Sequence, residues 1–134
     1  MDWKYLLTSF SGRINRQPFW LSILAMVVLQ WVLMLVLGMF LGTSMMGGMD
    51  PNMAPEAAAA MAMQSMTPII IISLLFLYPA LAIYTKRWHD RDKSGWWSLI
   101  MFVPIIGALW FLIECGFLRG TDGPNRFGED PLGN

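Results

Sequence analysis

The sequence predicts an all-α membrane protein, three transmembrane helices with a short N-terminal interfacial helix, forming one domain across its 134 residues. Apolar stretches at about 18–42, 67–85 and 95–118 are each long enough, at about 1.5 Å per helical residue, to cross roughly 30 Å of hydrocarbon. Inside them the only formal charge is Glu114, in keeping with a solvent where an unpaired charge costs on the order of 3 kcal/mol or more. Composition agrees: 56% of residues are hydrophobic and 13% charged, where a soluble domain carries about a quarter charged.

The elements follow in order. Residues 2–10 put Trp3, Leu6, Leu7 and Phe10 on one helical face and Asp2, Lys4, Thr8 and Ser9 on the other, the pattern of a helix lying in the membrane interface. Ser11-Gly12 breaks it, and Pro18 suits the first turn of span one, followed by Phe19 and Trp20 at headgroup depth. That span is too long for the apolar region of a cleavable signal, which runs about 7–15 residues. The Met-rich loop 43–66 is expected outside, its second half a surface helix opened by Pro55 and Glu56. Thr67-Pro68 reads as cap and first position of span two, and Pro79 as a kink within it. Asp92 to Gly95 makes a turn, Trp96-Trp97 anchors span three, and the Gly, Pro, Asn and Asp content of residues 119–134 predicts a tail of turns.

The formal net charge of zero hides an asymmetry. Lys4, Arg13 and Arg16 precede span one; Lys86, Arg87, Arg91 and Lys93 lie between spans two and three; loop 43–66 has only Asp50 and Glu56. The positive-inside rule places the N-terminus and the 86–94 loop in the cytoplasm and loop 43–66 outside. An odd number of spans then puts the tail from Arg119 outside.

Three segments concentrate the polar information: Phe10, Gly12, Arg13, Arg16 and Trp20; the run Lys86 to Trp97 with Arg87, His89, Asp90 and Ser94-Gly95-Trp96-Trp97; and the tail Gly120 to Pro131 with Asn125, Arg126, Phe127, Gly128 and Asp130. In this order and spacing they resemble the bacterial inner-membrane family known as domain of unknown function 805, over nearly the whole chain. The resemblance implies an inner-membrane location and this architecture, and brings no established activity. The chain departs from it at the Met-rich segment, which is longer than a compact member suggests.

Several side chains admit two readings. The 86–94 loop alternates in sign, so it is either a self-neutralising turn touching anionic lipid or, through His89, Asp90 and Asp92, a metal or acid–base site; no second ligand falls at i+3 or i+4. Arg13 and Arg16 would share a helical face, able to pair with Asp90 and Asp92 or to clamp a lipid phosphate. Glu114 would lie in the hydrocarbon, in an ion or proton path, or turned toward Arg119. Met45, Met46, Met49, Met53, Met61, Met63 and Met66 are soft donors suited to Cu(I), though methionine is frequent in span one too. Gly38/Gly42 and Gly116/Gly120 permit close helix approach, and Cys115 is a lone small apolar residue.

The resulting expectation is a structural or interaction protein engaging anionic lipid headgroups, a second copy or other membrane proteins. Its interaction candidates are Arg13, Arg16, Arg87, His89, Asp90, Asp92, Trp96, Trp97, Glu114, Asn125, Arg126 and Asp130. The alternative is an oligomeric transporter or channel subunit acting through Glu114. The sequence carries no P-loop, dinucleotide glycine motif, Ser or Cys catalytic arrangement or nucleic-acid-binding stripe, and the expectation is no enzyme, no cofactor and no assigned metal site.

Overall fold

The computed structural model describes residues 2–48 and 50–133, without the side chains of residues 44–46 and 48. The described residues form helices, turns and one isolated bridge between Asn125 and Gly128. The elements are α1 (Trp3–Thr8), α2 (Arg16–Gly48), α3 (Pro55–Asp90), a 3-10 helix (Gly95–Phe102), and α4 (Ile106–Phe111) running into a π turn (Leu112–Phe117). Two compact units result, residues 1–25 with 77–134, and residues 26–76.

The second unit consists of residues 26–48 of α2, residues 55–76 of α3 and the segment between them. Its apolar side chains are largely uncovered; the most apolar window of α2 has no buried residue, and that of α3 is 11% buried. A core helix of a water-soluble domain covers that face, so these surfaces suit lipid rather than water. At 33 and 36 residues both helices exceed the hydrocarbon thickness, reaching about 50 Å.

The expected 43–66 loop is mostly helix: its second half is helical from Pro55 as expected, and its first part, to Gly48, is the continuation of α2. α2 continues to Gly48, and α3 starts at Pro55 and runs through Thr67, Pro68 and Pro79. Thr67-Pro68 therefore begins nothing: Pro55, Glu56 and the alanines after them supply a first turn twelve residues earlier, and Pro55 holds the position whose N–H has no partner in any case. Met53 lies in the connecting turn and Met61, Met63 and Met66 on α3. The side chains of Met45 and Met46, and all of Met49, lie outside the described residues.

The expected third span, residues 95–118, is not one helix. The 3-10 helix, capped by Ser94, stops at Phe102, and Pro104-Ile105-Ile106 reverses the chain in a γ-turn: the Ile106 N–H donates to the Pro104 carbonyl at 2.7 Å, with Ile105 at φ 66°. A β-branched residue at positive φ is strained, and the reversal holds because Gly107 packs onto the Ile100 carbonyl, where a Cβ would sit 1.7 Å from the oxygen. The outgoing limb of eight residues and the returning limb of two six-residue pieces each rise only about 16–18 Å, roughly half the hydrocarbon.

The first unit has a small core. Phe111 contacts Phe19, Tyr84 and Trp88 at ring-centroid distances of 6.1, 4.7 and 5.9 Å, with Leu6, Ile14, Ile83 and Cys115 buried in the same unit. α1 lies against α3: Phe10 meets Tyr78 edge-on, and the Tyr78 hydroxyl donates to the Thr8 carbonyl at 3.1 Å.

Candidate functional site

The last turn of α3 places Lys86, Arg87, His89 and Asp90 side by side, all buried. The helix ends there because Asp92 adopts the left-handed conformation at φ 57°, with Asp92 N–H bonded to the His89 carbonyl and Lys93 N–H to that of Trp88, an arrangement that closes helix C-termini.

Each buried cation has a defined receptor. Lys86 Nζ donates to the carbonyls of Tyr5 and Leu6 at 3.1 and 2.8 Å and to that of Ser9, capping the negative end of α1. Arg13 uses all five guanidinium donors: two on Asp90 Oδ1 at 3.1 and 3.0 Å, and the others on the carbonyls of Thr121, Gly123 and Gly128 at 2.6, 2.7 and 3.3 Å. Arg87 bonds Asp90 Oδ2 and reaches the Cys115 and Leu118 carbonyls, both at 2.6 Å. One carboxylate thus pairs with two buried guanidiniums.

At the end of the π turn and just beyond it, successive carbonyls are held by side chains. The carbonyls of 115, 116, 117, 118 and 119 accept in succession from Arg87, Trp20, Arg16, Arg87 and Arg91. A helix end leaves its last carbonyls without intrahelical partners, and here α2, α3 and Arg91 just beyond α3 provide them. Asp92 meets neither N-terminal arginine; it pairs with Arg126 at 3.3 Å on the surface.

Glu114 is not isolated in an apolar span. It accepts from Arg91 at 2.9 Å and Lys93 at 2.8 Å, both just beyond α3, and Arg119 turns instead to Asp122. Partial burial opposes its ionisation, but the hydrogen bonds from Lys93 and Arg91 outweigh that and hold its carboxyl below the ordinary glutamate range.

The tail, expected on the opposite side from the N-terminus, is bound to it. Beyond the Arg13 bonds, the Thr121 N–H donates to the Asp90 carbonyl at 2.7 Å and Asn125 Nδ2 to that of His89 at 2.8 Å. Phe127 stacks on the His89 ring at 3.9 Å, and His89 Nδ1–H donates to the Gly12 carbonyl. Asp130 accepts from the Leu132 and Gly123 N–H groups, which draw its carboxyl below the usual range. Gly120 is required by contact, since a Cβ there would lie 2.0 Å from Asp90 Oδ2.

With Asp90 saturated by arginines, Asp92 on Arg126 and His89 on a carbonyl, these side chains are engaged in holding the fold. No three His, Cys, Asp or Glu side chains converge as metal ligands among the described residues. Trp96 and Trp97 are exposed on the 3-10 helix, with Lys93 over the Trp97 ring at 5.1 Å. Sequence reasoning placed Lys86, Trp20, Arg91, Lys93 and Gly120 in the polar segments but not among the interaction candidates. Most of them act on backbone carbonyls, which have no signature in a sequence; only the glycines of the tail motif carried a signal.

A sequence model described as a protein of unknown function, DUF805, matches residues 7–129. Inner membrane protein YhaH of Escherichia coli K12 is 35% identical, over 98% of this chain and 97% of its own. Inner membrane protein YhaI of the same strain is 45% identical over 65 residues, covering 45% of this chain and 53% of that protein. Uncharacterized protein YiiR is 28% identical over 92% of this chain and 86% of its own. No solved structure matches. With the family match embracing Arg13 and Arg16, the α3 terminus and most of the tail, the chain belongs to the DUF805 family.

Proposed function

We propose that this protein is a non-enzymatic structural or interaction component of the bacterial inner membrane, with two spans and a lipid-engaging cytoplasmic face. α2 and α3 cross the bilayer, residues 95–117 enter the cytoplasmic leaflet and return, and both termini are cytoplasmic. The names of YhaH and YhaI support the location.

The observation that carries the reading is the tie between the tail and Arg13 and Asp90. It brings Arg119 and Arg126 to the side of the other seven basic residues, so all nine obey the positive-inside rule, where an odd number of spans leaves two outside. The alternative, a transporter or channel subunit acting through Glu114, calls for a carboxyl facing a membrane path; pairing with Arg91 and Lys93 favours an interfacial role instead.

Thiol labelling tests it in a Cys115→Ser background, with Asp50→Cys and Glu129→Cys as reporters. Position 50 should react in intact spheroplasts and position 129 only after the inner membrane is permeabilised. Labelling of 129 from outside overturns the arrangement.

A further inference from the structure

We propose that the groove beside Arg16 binds an anionic phospholipid of the cytoplasmic leaflet, an inference that rests on the topology proposed above. Five of the six arginines have carboxylate partners: Arg13 and Arg87 share Asp90, Arg91 pairs with Glu114, Arg119 with Asp122, and Arg126 with Asp92. Among the described residues Arg16 is the one without. It makes a single hydrogen bond, from Nη1 to the Phe117 carbonyl at 3.0 Å. That bond anchors the guanidinium and leaves most of its donors for an external acceptor.

Those donors border a groove of about 500 Å³. Its polar side is Asn15, Arg16 and Gln17; its apolar side is Trp20, Phe117 and Leu132. Trp20 lies four residues into α2, about 6 Å deeper than Arg16 along the helix, and the apolar run follows it. The groove therefore passes from cation to aromatic wall over the distance in which a phospholipid passes from phosphate to acyl chain. Guanidinium matches a phosphate with two parallel hydrogen bonds, and exposed Phe117 and Leu132 offer the acyl chain a surface. A free phosphate would use only the polar half, so the apolar half selects lipid.

Native mass spectrometry of the purified full chain in a neutral detergent tests this, titrating phosphatidylglycerol against phosphatidylcholine, with and without inorganic phosphate. The parent should retain phosphatidylglycerol about fivefold better, the effect expected of one basic residue at an anionic surface. Arg16→Gln should abolish the preference. Gln17→Trp should do so too, filling the groove from an exposed position while leaving the Arg16 anchor intact, so the test survives if the first variant fails to fold. Lys4→Gln, at an exposed basic residue outside the groove lining, should keep the preference. A preference unchanged in Gln17→Trp, or erased by millimolar inorganic phosphate, overturns the lipid site. Neither result bears on the topology, which the labelling experiment decides separately.

Discussion

Arg13 reaches across 77 residues of sequence to place two hydrogen bonds on a single oxygen of Asp90, Oδ1, while Arg87 takes the other oxygen. Removing that carboxylate strands two guanidiniums with almost no solvent exposure. Asp90→Asn should therefore cost about 3–5 kcal/mol, the range for breaking a buried pair, measured by thermal unfolding in detergent. Arg13→Lys keeps the charge but offers three donors where five acceptor contacts exist, and should also destabilise. A parent-like melting temperature for both variants would remove the pair from any account of stability.

Gly120→Ala should be disproportionately harmful for the addition of one methyl group. The Cβ would collide with the Asp90 carboxylate, and the helix end behind Asp90 has no room to retreat. Overpacking of this kind costs about 1–3 kcal/mol. The specific readout is limited proteolysis of residues 119–130, which should become faster. Gly38→Ala, with nothing near its Cβ, should leave cleavage unchanged.

Lys86→Met should release α1 while sparing the aromatic core. The ammonium satisfies three carbonyls at the end of a six-residue helix that is too short to persist by itself. A loss of about 2 kcal/mol is expected for hydrogen bonds to a charged group. Amide exchange should speed up across residues 3–10 and stay slow around Phe111. Uniform acceleration would mean that α1 and the core open together.

The Glu114 pairs give a pH signature. Its carboxyl is held below the ordinary range in the folded state, so the stability it contributes is present above about pH 4.5 and is lost as the pH falls through the depressed folded value. The parent should melt above Glu114→Gln at pH 7, and the gap should close on acidification. A gap independent of pH from 7 to 3.5 would show that the pairs with Arg91 and Lys93 contribute nothing through ionisation.

Much of this was legible in the sequence because it rested on period and charge sign. The apolar length of α2, the amphipathic stripe of α1, the turn at Asp92 and the irregular tail all follow from residue type. The broken third stretch was signalled only by Pro104 and Gly107; its length and hydropathy suit a full span, and the reversal depends on Gly107 meeting a carbonyl seven residues earlier. Of the charged partners, Arg13 with Asp90 was open to reasoning from sign and side. Asp92 was not separable from Asp90 by charge, since only the left-handed turn sends it to the surface beside Arg126. Arg16 gives its one hydrogen bond, and Arg87 its bonds other than that to Asp90, to carbonyls, groups every residue shares, so no sequence pattern marks the receptors.

The run of carbonyls from 115 to 119 also sets an order in time. A ribosome makes Arg16, Trp20, Arg87 and Arg91 before the oxygens they serve, so during synthesis these donors wait without their final acceptors. The earlier segments supply donors that only residues 115–119 can receive. Closure of the charged end therefore waits until that stretch is made, and a chain that stops short of residue 115 carries its defect in the cations left behind.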